Sequence, residues 1–144
     1  MFLVDTNVIS EGVPAKARAS ADLVSWMERN SDRLFLSTIT VAEIEQGMAQ
    51  ARRLGAHAKA TRLAAWLETL LHLYSARVLP FDLRAARIAG SLSDLARSQG
   101  HAPGFPDLAI AATAMAHRLT ILTANVRDFT PLGVLVHNPF ETLP

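Results

Sequence analysis

The chain has 144 residues, half of them hydrophobic, which is enough to bury one sizeable core. Its 14 Lys and Arg residues offset 13 Asp and Glu residues to a net charge of +1, which excludes nucleic-acid binding through overall charge. The absence of cysteine excludes disulfides and thiolate metal ligands. We therefore predict a single domain over residues 1–144, in which a bound metal would have oxygen or imidazole ligands.

The N-terminus lacks the pattern of an export signal, because its apolar run ends at Asp5 and no small-residue cleavage site follows. The longest apolar stretches are shorter than the roughly 20 residues that a membrane span needs. We expect a soluble, cytoplasmic protein with no membrane partner.

Five short apolar segments bounded by polar or turn residues have the pattern of buried β-strands: residues 2–4, 34–37, 77–80, 120–123 and 134–137. Segments rich in Ala, Leu and Arg lie between them and predict five helices: residues 21–29, 41–53, 58–74, 83–99 and 106–118. Parallel strands need crossover connections, which are usually helices. The alternation therefore predicts an α/β fold, a three-layer α/β/α sandwich with a mostly parallel sheet of about five strands.

Acidic residues are predicted to collect at the edge formed by the carboxyl ends of the strands, where open α/β sheets bind ligands. Asp5 directly follows the first strand. Glu43 lies in the predicted first turn of the helix after the second strand, and Asp107 in that of the helix before the fourth. Both helices should begin at the same edge. Asn125 and Asp128 follow the fourth strand and join this group.

Carboxylates gathered in this way favour one kind of chemistry. They repel one another unless a cation neutralises them, and all-oxygen ligand sets suit Mg²⁺ or Mn²⁺. Such a cation can activate a water for in-line attack on phosphorus. The pattern therefore favours a metal-dependent nuclease centred on Asp5, Glu43 and Asp107.

Each acidic position also has an ordinary structural interpretation. Thr40 and Glu43 have the spacing of a helix capping box, and Pro106-Asp107 is typical of a helix start. The polar residues after the first and fourth strands could instead fix turns. Moreover, Asp107 reaches the edge only if the Gly- and Pro-rich loop of residues 100–105 returns the chain from the end of the preceding helix.

Four short motifs, at residues 1–11, 37–44, 106–114 and 122–129, carry a resemblance to a known family. They resemble the PIN-domain family and, within it, the VapC-type toxins of bacterial toxin–antitoxin pairs, including their FitB-like branch. The motifs stand in the right order over nearly the whole chain. Residues 136–141 also resemble the last strand and tail of the family.

The resemblance implies a Mg²⁺- or Mn²⁺-dependent endoribonuclease that cleaves RNA, forms a homodimer and is silenced by a VapB-like antitoxin. Asp5 and Asp107 match acidic positions of the family and would be metal ligands, while Glu43 would be a ligand or a base acting through water. Asn125 stands where some members carry a fourth acid. Asp128 is the alternative for that place.

Thr6 and Thr123 are expected to support the carboxylates through hydrogen bonds. Other functions remain open at this stage. Asn125 in the fourth place suggests a PIN-like RNA-binding or regulatory module with weak catalysis. A phosphatase is disfavoured by the lack of a Gly-rich phosphate loop, and a DNA-binding regulator by the lack of a helix-turn-helix with a basic recognition helix.

Overall fold

The computed structural model describes residues 1–14 and 20–144. Within them, five strands form one sheet: β1 (Phe2–Val4), β2 (Leu34–Ser37), β3 (Val78–Leu79), β4 (Thr120–Leu122) and β5 (Val136–His137). Their order is β3-β2-β1-β4-β5, and each neighbouring pair is parallel. The predicted parallel sheet is confirmed, with β3, β4 and β5 one or two residues shorter than expected.

The helices of the described residues are α1 (Thr6–Ile9), α2 (Ala21–Arg29), α3 (Thr38–Arg53), α4 (His57–Tyr74), α5 (Leu83–Ser98), α6 (Phe105–His117) and α7 (Val126–Phe129). The five predicted helices are confirmed, with ends that shift by three residues at most. Helices α1 and α7 were not predicted, because a four-residue helix is too short to show helical periodicity. In the part of the chain that the structure describes, no helix has the length and hydropathy to cross a membrane.

Side chains of the two central strands alternate between the faces of the sheet, as extended backbone requires. Leu3 and Ile121 belong to a core that includes residues of α5 and α6. Val4 and Leu122 belong to a second core, formed with residues of α2, α3 and α4. Helices thus cover both faces, and the three-layer α/β/α sandwich is confirmed.

Helix α3 begins earlier than the sequence suggested. Ser37, at the end of β2, is its N-cap, and the fully buried Ser37 hydroxyl accepts a hydrogen bond from the backbone N–H of Thr40 at 3.0 Å. Thr40 is therefore the third residue of the helix and not its cap. The capping-box interpretation of Glu43 is wrong, as is its placement in the first turn, since Glu43 lies one turn further along.

We predict that Ser37→Ala lowers the free energy of unfolding by about 1 kcal/mol, because it leaves the Thr40 N–H without its cap. Urea unfolding followed by circular dichroism measures this loss. Ser91→Ala on the exposed side of α5 is the matched control and should cost less. Equal stability of Ser37→Ala and the wild type would contradict the assigned cap.

Candidate active site

Asp5 is the best-anchored acid of the site. It follows β1, caps α1 and is 5% exposed. Its Oδ1 accepts the backbone N–H of Thr6 at 2.8 Å, and its Oδ2 accepts both the Asn7 side-chain amide and the Thr123 hydroxyl at 2.7 Å. Three donors thus fix the orientation of this carboxylate, two of them from side chains.

Thr123 and Asn7 join the ends of the neighbouring strands β1 and β4. The Thr123 hydroxyl is fully buried, accepts the Asn7 amide at 3.1 Å and accepts the backbone N–H of Asn125 at 2.9 Å. The Asn7 carbonyl oxygen accepts the backbone N–H of Ala124 at 3.0 Å. The supporting role expected of Thr123 therefore has a geometric basis, and Asn7 shares it.

Thr6 connects Asp5 to Glu43. Its backbone N–H donates to Asp5, and its hydroxyl donates to the carboxylate of Glu43. Glu43 is partly buried on α3, whose first residue directly follows β2. The carboxyl ends of β1 and β2 therefore bring these two acids to the two sides of one threonine.

Asp107 is the third residue of α6 and is partly buried. The loop before it starts at Gly100, whose φ of +79° is a conformation that favours glycine. The rings of Phe81, just before α5, and Phe105, the first residue of α6, are 5.6 Å apart at their centroids. The loop thus returns the chain from the end of α5 to the level at which α5 began, as the placement of Asp107 required.

The pKa of Asp107 is raised by burial and by the neighbouring acids. Burial is the largest cause that raises this pKa from its ordinary value of 3.8 to about 6. The negative charges of Asp128, Asp5 and Glu43 raise it further. Carboxylates from four chain segments therefore meet at one edge of the sheet, close enough to repel one another.

Asn125 and Asp128 are both exposed. The backbone N–H of Asp128 donates to the Asn125 carbonyl at 3.0 Å, so both residues do belong to the turn that opens α7. Asp128 also lines a cavity together with Asp107 and His101. The structure thus brings Asp128 beside Asp107, whereas Asn125 lines a neighbouring cavity.

Two residues of this region were not predicted as site residues, Asn7 and Arg127. Asn7 stands in the same motif as Asp5, but nothing in the sequence shows that its amide reaches Thr123, which is 116 residues away. Arg127 lines both cavities next to the acids. A basic residue in a surface turn has no pattern of its own that would have identified it.

The donor set fits a hard divalent cation, since the clustered side chains offer oxygen atoms and negative charge. The described side chains nevertheless do not form a complete set of metal ligands. Over residues 1–14 and 20–144, no group of three or more His, Cys, Asp or Glu side chains is arranged to hold a metal ion. Both oxygens of Asp5 are already engaged by hydrogen bonds.

Comparison with known proteins gives the family. The PIN domain family matches residues 2–131 of this chain. The chain belongs to the PIN-domain family. The chain is 35% identical over 142 residues to Toxin FitB of Neisseria gonorrhoeae, in an alignment that covers 98% of this chain and 99% of FitB. It is 37% identical over 143 residues to VapC ribonuclease Y4jK of Sinorhizobium fredii, with the same coverage.

Solved structures agree with this assignment. The crystal structure of FitAcB from Neisseria gonorrhoeae contains a chain that is 37% identical and superimposes with a TM-score of 0.85, covering 97% of this chain and 99% of that one. A chain in the structure of FitAB bound to the IR36 DNA fragment is 32% identical, with a TM-score of 0.78 and coverages of 97% and 96%. The chain therefore has the PIN fold, and the sheet of this fold positions the acids.

We predict that Thr123→Val lowers the free energy of unfolding by about 2 kcal/mol, because it removes a donor to Asp5 and the acceptor for two further groups. Thr123→Ser keeps the hydroxyl and should cost less. Urea unfolding of both variants measures the difference. Equal losses in the two variants would contradict a dominant contribution of the hydroxyl.

We predict that, in EDTA at pH 7.5, Asp107→Asn is more stable than the wild type by about 1 kcal/mol, after allowance for solvent screening. The pKa of Asp107 in the folded protein lies above its ordinary value. Protonated Asp107 therefore stabilises the fold, and this stabilisation is lost as the pH rises through about 6. At pH 5 the two proteins should therefore differ less. Denaturant unfolding at both pH values tests this.

Asp94→Asn is the matched control for that comparison, because it removes the same charge from an exposed position on α5. Its effect should be small at both pH values. A stability difference between Asp107→Asn and the wild type that does not change with pH would contradict the repulsion assigned to the cluster.

Proposed function

We propose that this PIN-domain protein is a Mg²⁺- or Mn²⁺-dependent endoribonuclease and that Asp5, Glu43 and Asp107 form its active site. The observation that carries the proposal is the meeting of carboxylates from separate chain segments at the carboxyl edge of the sheet. Full-length similarity to relatives named as a toxin and as a VapC ribonuclease supports RNA as the substrate. We further propose that residues 1–144 act as one PIN domain.

Asp5 and Asp107 would hold the cation, and Glu43 would act as a further ligand or as a base through water. When bound, such a cation stabilises charge on a phosphate and lowers the pKa of a coordinated water. Mg²⁺ commonly uses one or two carboxylates and completes its shell with waters and substrate phosphates. The lack of a complete three-acid group among the described residues is compatible with that mode of binding.

The supporting residues would keep the acids in place for the reaction. Thr6 and Thr123 donate to Glu43 and Asp5, so each carboxylate presents a defined face to the substrate. Asn125 adds no charge. Asp128 lies beside Asp107 and is therefore the better choice for the fourth acid.

The partner that we propose is an antitoxin protein of the VapB kind, with a homodimer as the toxin form. The similar solved structures include FitAcB and FitAB bound to a DNA fragment, and those chains match this one over 97% of its length. Agreement of the backbone fold over 97% of this chain supports a similar type of partner here. The antitoxin would silence cleavage by covering the acidic edge.

We predict that the purified protein cleaves single-stranded RNA when Mg²⁺ or Mn²⁺ is added and that EDTA abolishes cleavage. Asp107→Asn should reduce the rate by roughly 100-fold or more, because it removes a charged ligand from the reaction centre. Gel analysis of a labelled RNA at each metal concentration measures both effects.

Asp94→Asn should cleave like the wild type, which controls for loss of one negative charge. Equal cleavage by Asp107→Asn and the wild type would disprove the proposed centre. RNA binding without cleavage in either metal would instead identify the protein as a PIN-like binding or regulatory module.

A further inference from the structure

Arg127 lines two cavities beside the acidic cluster. It is exposed on α7, which begins four residues after the end of β4. One cavity, of about 210 Å³, is lined by Arg127 together with His101 and Asp107. Arg127 is therefore the basic residue of α7 that shares a cavity with a proposed metal ligand.

The second cavity that Arg127 lines has a volume of about 440 Å³, within the range of ligand pockets. Asn125, Asn138 and Glu141 contribute to its lining. The Asn138 amide donates to Glu141 at 2.9 Å, so those two side chains partly satisfy each other. The side-chain amide of Asn125 makes no hydrogen bond with the described residues and can serve a ligand.

The Arg127 guanidinium has no partner of its own in the described part of the chain. It forms neither a hydrogen bond nor an ion pair there, although Asp128 is the next residue and Asp107 lines the same cavity. An arginine close to carboxylates usually pairs with one of them in a bidentate manner. The N–H groups of this planar guanidinium are therefore available to bind an external anion.

We propose that Arg127 binds a backbone phosphate of single-stranded RNA next to the phosphodiester held at the acidic cluster. The inference rests on the proposed function and adds a substrate-binding residue to it. A net charge of +1 gives little general attraction for a polyanion, and the acids repel it, so attraction must come from cations near the site. The two cavities that Arg127 lines provide room for the flanking nucleosides.

Binding of a fluorescein-labelled single-stranded RNA in Ca²⁺, followed by anisotropy at several salt concentrations, tests the proposal directly. Arg127→Gln should weaken binding roughly 10-fold and reduce the slope of log K against log salt by about 0.7, the value of one lost phosphate contact. Arg127→Lys keeps the positive charge but loses the planar guanidinium that can bind phosphate through two hydrogen bonds. The affinity of this variant for RNA should therefore be intermediate. In Mg²⁺, Arg127→Gln should raise KM much more than it lowers kcat.

Arg62→Gln is the matched control, because it removes one positive charge from an exposed position on α4. If Arg127→Gln and Arg62→Gln have the same RNA affinity and the same salt slope, the inference is overturned. The nuclease proposal is then unaffected. Failure of the wild type to bind the RNA would also overturn it. Failure of the wild type to cleave, with binding still sensitive to Arg127→Gln, would refute the nuclease proposal alone.

Discussion

The hydrogen bonds that hold the Asp5 carboxylate are the interaction on which the candidate site depends. Strand β1 lies at the centre of the sheet, between β2 and β4, so residues that follow these three strands meet at one edge. Thr6 joins Asp5 to Glu43, and Thr123 joins it to the end of β4. A buried carboxylate would be costly without such partners, and here they come from the segments that supply the rest of the site.

Repulsion between the acids must be offset by the packing of the elements that carry them. Helix α6 is buried on nearly all sides, with eight buried residues, so its position is fixed by the core and not by the preferences of Asp107. Helix α3 is likewise fixed by the buried Ser37 cap. The core and the cap thus hold together a set of like charges, and in the proposed enzyme a cation would neutralise them.

The sequence was sufficient for the sheet and for the edge on which the acids lie, because short apolar strands alternating with helices leave few topologies. It was not sufficient where two residues could perform the same local task. Ser37 and Thr40 are both good N-caps, and in the folded chain the cap is Ser37. Nor could it show that Asn7 contacts Thr123 or that Asp128 approaches Asp107, since these contacts depend on how distant segments fold back.

An incomplete ligand set has a thermodynamic consequence for the proposed enzyme. Where two or three carboxylates cannot complete the shell of a divalent cation, substrate phosphate oxygens supply the missing ligands. In the proposed enzyme the cation would bind more tightly when RNA is present, and by reciprocity RNA would bind more tightly when the cation is present, by the same factor. Free protein would therefore hold its metal loosely and assemble the reaction centre on the substrate.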